Sequence, residues 1–442
     1  MSSTHHPPGS AETVFAAMTD LNGVWRGKRL PAAQLPKMGQ GGLRMPLSVC
    51  ALDIWGEDMQ GSGLVLATGD GDGLCHPTGR GPIAMPWLDQ PAALLPVQMR
   101  REDGSPWPLD ARQVLAGIVA GFAEKGLTPV VATELEFYLY DPAQDTAAPP
   151  QAPGEPTPMQ SDRILSMDDL ERFAPLLDAL FEACRAAGIP ADSATSEAGP
   201  GQFEVNFTHV ADPMKAADDA VLFKKILRGL ARKFGFGASF MAKPYGDRSG
   251  SGLHIHFSLL DRQGANVFDD GTALGSDLLC QAVAGLMAAM HAHTLIWAPH
   301  ANSYRRLVPG AHAPTAICWG YENRTSALRI PGGAPQARRI EHRVAGADAN
   351  PYLVLAAVLG AALQGIENAA IPPDPVLGNA HQQDLPQLAP DWASAVDAFA
   401  QSDDGVFPDL LTRAFAHIKR QEIARFLQDI SPFEYQTYMD IV

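Results

Sequence analysis

Glu134 and Glu136 stand two apart in TELEFYLY, a β-branched and aromatic run that predicts a strand, so both carboxylates project from the face opposite Leu135 and Phe137. Such a pair suits a cation, although alternating polar residues on a strand often do no more than face water. In SEAGPGQFEVNF, Glu197 precedes a Gly-Pro-Gly turn and Glu204 lies on the strand leaving it, where close backbone approach lets both reach one site. SGSGLHIHFSL adds His254 and His256 on one strand face, behind glycines that permit a tight loop near a ligand. A single histidine on an apolar strand is commonly a core residue. Set among carboxylate oxygens, the two imidazoles point instead to a magnesium or manganese site with some nitrogen character.

Chemistry for anions follows. NRTSALRIPGG and ARRIEHRV bring Arg324, Arg329, Arg339 and Arg343 near Glu341, with Arg339, Glu341 and Arg343 on one strand face. The rigid guanidinium fork suits phosphate and carboxylate. Carboxylates for several cations together with arginines for anions describe metal-assisted phosphoryl transfer, in which positioning and charge neutralisation supply most of the rate. No nucleophile triad or zinc signature competes, and without a GxxxxGK[ST] loop any ATP is not held in the P-loop manner.

The elements that must position these residues fall into two parts. From Phe15 to about Trp107, Gly- and Pro-rich sequence with short apolar runs such as SVCALDIWG predicts short strands and tight turns. Asp110 is a predicted N-cap and Gly126 a C-cap for a helix opening the second part, which sets a tail over 1–14, a small domain over 15–105 and a large one over 106–442. A strand over TPVVATELEFYLYD precedes a proline-dense surface loop, 141–160, to which the sequence assigns no role. Periodicity predicts helices over 167–188 and 216–234, and strands recur around His254, Arg324 and Glu341.

At 442 residues, with 46% hydrophobic and 19% charged residues, the chain can bury a large core. A net charge of -16 argues against nucleic acid, whose phosphates need clustered Lys and Arg, and favours cations as ligands. Five cysteines without a CxxC pair fit reduced thiols in the cytoplasm, and MSSTHHPPGS lacks the pattern of a signal peptide. The apolar stretches Leu278 to Trp297 and Tyr352 to Leu363 are too interrupted or too short to span a membrane and read as buried helices.

Taken in order, ELEF, EAGPGQFEVNF, GSGLHIHFS, NSYRRLVPG, NRTSALRIP and RRIEHR resemble the glutamine synthetase family, from about Gly23 to the C-terminus. The resemblance implies an α+β fold: an N-terminal β-grasp domain, then a catalytic domain of curved antiparallel sheet with helices, assembled as a dodecamer of two hexameric rings. It implies that Glu136, Glu197 and Glu204 hold one metal, and Glu134, His254 and Glu341 a second. Gly250, Arg306, His312, Arg329 and Arg343 would contact substrate, and His256, Ser258, Arg324 and Arg339 would contact ATP, with Arg324 and Arg343 acting in catalysis. The implied reaction activates the glutamate γ-carboxylate as γ-glutamyl phosphate, which a neutral amine then attacks. Asp53, supplied by a neighbouring subunit, is the expected base for that amine.

Departures from the pattern bear on the amine. After NSYRRLVPG the family continues Tyr-Glu-Ala-Pro, whose Glu helps hold ammonium, whereas this chain reads Ala311, His312, Ala313, Pro314. LDIWG replaces the usual D-G-S-S, Ser249 stands for a common Asn, and Gln336 for a common Lys. Losing an anion from the ammonium pocket disfavours ammonia. DLNGVWRGKRLP and WGYENRTSALRIP look like the branch that glutamylates putrescine and other polyamines. Glutamine synthetase proper, a ligase for another monoamine, and a non-catalytic structural paralogue are the alternatives.

Overall fold

The computed structural model describes residues 11–39, 42–144, 147–160 and 162–442. Most of the expected tail lies outside them, but its end does not: β1 (Thr13–Thr19) begins at Thr13, and Val14 is fully buried. An apolar side chain with a core to enter extends the strand into the segment that its neighbours made look loose.

β1, β2 (Trp25–Pro31), β3 (Leu43–Pro46), β4 (Asp72–Pro77), β5 (Ile83–Ala84) and β6 (Ala92–Arg100) form a sheet in the order β2-β1-β6-β4-β3, with β5 on β6. β1 and β6 run parallel and the remaining pairs antiparallel, the mixed arrangement of a β-grasp domain. Helix Ala111–Glu124 follows, capped by the Asp110 carboxylate on the Arg112 N–H.

The larger sheet runs β12-β13-β14-β11-β7-β9-β8, with β10 also on β7. Its strands are β7 (Thr128–Tyr140), β8 (Ala191–Ser196), β9 (Gln202–Phe207), β10 (Gly237–Ser239), β11 (Leu253–Leu260), β12 (Trp319–Tyr321), β13 (Leu328–Ile330) and β14 (Ile340–His342). β7 is central, flanked by β9 and β11, because Leu135, Phe137 and Leu139 bury fully against the helices behind it. Arg324 lies in the turn between β12 and β13 rather than in a strand, since Asn323 accepts hydrogen bonds from the Thr325 N–H and hydroxyl and folds the chain there.

Helix Pro213–Lys233 starts earlier than its apolar period suggests, at the Asp212 cap, and the helix expected over 167–188 is divided at Phe173 into Met167–Arg172 and Ala174–Ala186. Pro175 explains the division, having no N–H to continue the first helix. Helices Asp277–Ala289 and Pro351–Glu367 cross so closely that a Cβ on Gly285 would sit 2.1 Å from the Ala361 carbonyl oxygen. No described helix is long and apolar enough to cross a membrane.

Polar contacts join the two parts. The Asn350 amide donates to the carbonyls of Asp20 and Leu21, Arg112 donates to the Gln98 amide oxygen at 2.7 Å, and Lys419 donates to the side chain of Asn22.

Candidate active site

Strand register assembles the site. On β7, Glu134 faces His254 of β11 and Asn206 of β9, while Glu136 faces Glu204; on β14, Glu341 faces His256. Period-two alternation then turns the carboxylates and imidazoles to one side of the sheet. His254 Nδ1 lies 3.2 Å from Glu134 and 3.9 Å from Glu341. His256 Nε2 lies 2.9 Å from the other Glu134 oxygen but is misaligned for a hydrogen bond, and it is buried. A buried imidazole nitrogen left without a hydrogen bond beside a carboxylate oxygen is what a cation satisfies.

Glu134, Glu204 and His254 bring ligand atoms within 4.8 Å of one another, and so do Glu134, His256 and Glu341. Four of the six residues expected to hold metals, Glu134, Glu204, His254 and Glu341, fall in these groups, Glu134 in both, and His256, assigned by resemblance to ATP, joins Glu341; Glu136 stands opposite Glu204 across the strands, and Glu197 is within electrostatic reach of Glu134 and Glu136. The donor set fits magnesium or manganese: oxygen-rich, with imidazole at one side.

The charges support that fit. Burial, reinforced by the charges of Glu136 and Glu134, pushes the Glu197 carboxyl up to about 7. Burial and the neighbouring Glu134 and Glu136 push Glu204 to about 8, against one hydrogen bond from the Asn206 amide at 3.0 Å. Burial would also raise Glu134, but the imidazoles of His254 and His256 hold it well below the usual carboxylate range. Glu341 is likewise lowered, because Arg343 and the two imidazoles outweigh its burial. Carboxylates that repel one another in a half-dry site are stable as anions only beside a cation.

Local structure explains the glycines. The turn from Glu197 to Gln202 closes through the Glu197 N–H on the Gln202 carbonyl, and a Cβ on Gly199 would lie 2.0 Å from the Tyr138 hydroxyl. That hydroxyl donates to the Ser249 carbonyl and ties the turn to the loop before β11. Gly250 packs against the Arg306 side chain, where a Cβ would meet its Cγ at 2.8 Å.

Beside the cluster opens a cavity of about 370 Å³ whose wall includes Glu136, Gly250, His254, Arg306, His312 and Arg343. Arg306 is held by the Val344 carbonyl at 2.7 Å, and Arg343 pairs with Glu341 while its buried Nε has no partner among the described residues. Arg329 bridges Glu341 at 2.9 Å and Glu322 at 3.3 Å, outside the cavity. Arg339 donates to His256 Nδ1 at 3.3 Å, Arg324 is exposed within electrostatic reach of Glu197, and buried Ser258 continues the row of His254 and His256.

Asp53 does not reach the cavity. It is buried, accepts from the Trp55 and Glu57 N–H groups and from the Gln421 amide at 2.8 Å, and so organises a turn. Within its own chain Asp53 thus serves the turn; the expectation set its proton-accepting role at a neighbouring subunit's site.

Other residues at the site were not singled out from sequence. Asn206 is legible in hindsight, two positions after Glu204 and on its strand face. His209, whose ring centroid is 6.3 Å from that of His256, lies past the strand end, and Asp162 follows the proline-dense loop. Neither carries a local signal. Asp162 pairs with Arg248 at 2.6 Å across the cavity rim.

A β-grasp domain beside a sheet that carries metal-competent carboxylates and a fringe of arginines belongs to the class of ligases that handle polyanionic substrates. The glutamine synthetase catalytic domain matches residues 108–438. Gamma-glutamylputrescine synthetase PuuA of Escherichia coli (strain K12) is 38% identical over 97% of this chain and 91% of its own. A glutamate–isopropylamine ligase of Pseudomonas sp is 32% identical over 98% and 95%. A solved structure described as a GmaS/ADP complex superimposes with a TM-score of 0.84 at 29% identity, covering 97% of both chains. The chain belongs to the glutamine synthetase family.

Proposed function

We propose that the protein is an ATP-dependent glutamate–amine ligase whose acceptor is putrescine or a related polyamine. The observation that carries this reading is the cavity beside the carboxylate–imidazole cluster, walled by buried Arg306 and Arg343 and closed by a turn with an imidazole where ammonia-using relatives place a carboxylate. The 38% identity to an enzyme named for putrescine supports it.

Arg306 and Gly250 hold glutamate, with Arg343 near the γ-carboxylate. Its oxygen attacks the γ-phosphorus of ATP, ADP leaves, and the amine displaces phosphate from γ-glutamyl phosphate to give the amide. Arg324, Arg329 and Arg339 neutralise phosphate charge, and His256 and Ser258 line the approach of the nucleotide. Magnesium or manganese, when bound by Glu134, Glu136, Glu197, Glu204, His254 and Glu341, supplies charge neutralisation for the phosphoryl group. The assembly is a homo-oligomer, a dodecamer of two hexameric rings, working in the cytoplasm.

The test is glutamate-dependent phosphate release from ATP with magnesium, comparing putrescine and spermidine with ethanolamine, small monoamines and ammonium. Saturation by a polyamine with little response to ammonium is expected. Preference for ammonium returns the chain to glutamine synthesis, and silence with every amine removes the ligase reading.

A further inference from the structure

An alkyl ammonium resembles the Lys head group, with a pKa of about 10.4, so at neutral pH only about one molecule in 10³ carries the lone pair that attacks an acyl phosphate. A ligase for organic amines needs a proton acceptor facing the acyl carbon. Most candidates in the cavity wall are engaged. Glu136 accepts from the Gly252 N–H at 2.8 Å, His254 lies against Glu134, and Asp162 is paired with Arg248. Asp53 of the same chain is not part of this wall.

His312 differs. Its ring lines the cavity and, among the described residues, has no hydrogen bond or ion pair. It sits on a tight turn in which the Val308 N–H donates to Arg306 and the Ala311 N–H to Val308, with Gly310 at φ 83. The imidazole and the guanidinium of Arg306 are thus fixed to one short segment. Ala311 and Ala313, its chain neighbours, line the same cavity.

From this placement we infer that His312 is the general base that deprotonates the acceptor amine, an assignment that rests on the ligase reading above. The free imidazole nitrogen takes one proton from R–NH3+. The neutral amine forms its N–C bond to the γ-carbonyl, and the C–O bond to phosphate breaks with its electron pair on oxygen. The second proton of nitrogen leaves with the phosphate. The imidazolium so formed lies in the same cavity wall as Glu136.

Hydroxylamine, already neutral at neutral pH, separates this role from others. In His312→Ala, turnover with putrescine or propylamine is expected to fall by about 10²-fold or more, while γ-glutamyl hydroxamate formation from hydroxylamine stays within a few-fold of the parent. The hydroxylamine reaction doubles as a check on folding, and added imidazole should restore part of the alkylamine turnover. Equal losses with both nucleophiles, or undiminished turnover with the alkylamine, overturn the assignment. If the parent enzyme makes no hydroxamate from glutamate, ATP and hydroxylamine, the ligase reading itself fails and takes the assignment with it.

Discussion

Asp53 in the small domain and Glu204 in the large sheet are both acids withdrawn from water, and their surroundings could hardly differ more. Asp53 is met by two backbone N–H groups and the Gln421 amide. Glu204 is met by one amide and by the like charges of Glu134, Glu136 and Glu197. An acid supplied with its own donors is part of the scaffold, whereas acids turned toward one another are completed by a ligand that brings positive charge. Only the second arrangement can do chemistry on phosphate.

The largest test of this contrast is Glu134→Gln, because Glu134 belongs to both ligand groups. Activity should fall by on the order of 10²–10³-fold with the circular-dichroism spectrum preserved. An active variant would remove Glu134 from the centre of the site. Asn206→Ala removes the amide that orients Glu204 and should weaken magnesium or manganese binding by about 10–100-fold, measured by calorimetry. Asp53→Ala should instead lower stability by about 1–3 kcal/mol in denaturant titration and leave kcat of the folded enzyme near that of the parent. A large loss of kcat at full stability would return Asp53 to the chemistry and break the comparison.

The smallest effect is a pH dependence. An unfolded Glu titrates near 4.3, whereas folded Glu197 and Glu204 keep their protons up to about 7 and about 8. The folded state therefore binds more protons across that window, so the stability these groups contribute is present at low pH and lost as pH rises through their folded values. Metal-free protein should melt at a lower temperature at about pH 9 than at about pH 6, and magnesium should raise melting more at the higher pH. Equal stabilisation by magnesium at both values would mean the carboxylates are not one cluster.

Much of the site was legible in the chain. Alternation in TELEFYLY, QFEVNF and LHIHFS fixes which side chains share a face, because successive Cβ atoms of a strand point to opposite sides. Glycine at 199 and 250 marked close backbone approach, and the structure fills both places with side chains, Tyr138 and Arg306. The order of motifs carried the family and with it the α+β architecture. Cross-strand register was not legible, since pairing His254 with Glu134 and His256 with Glu341 depends on which strands become neighbours across many tens of residues. That pairing, set by burial of the opposite faces, moved His256 into a ligand group and made Glu134 its hub. Tertiary structure alone also brought Asp162 and His312 to one cavity and turned Asp53 inward, because the donors that satisfy a carboxylate are supplied by distant parts of the chain.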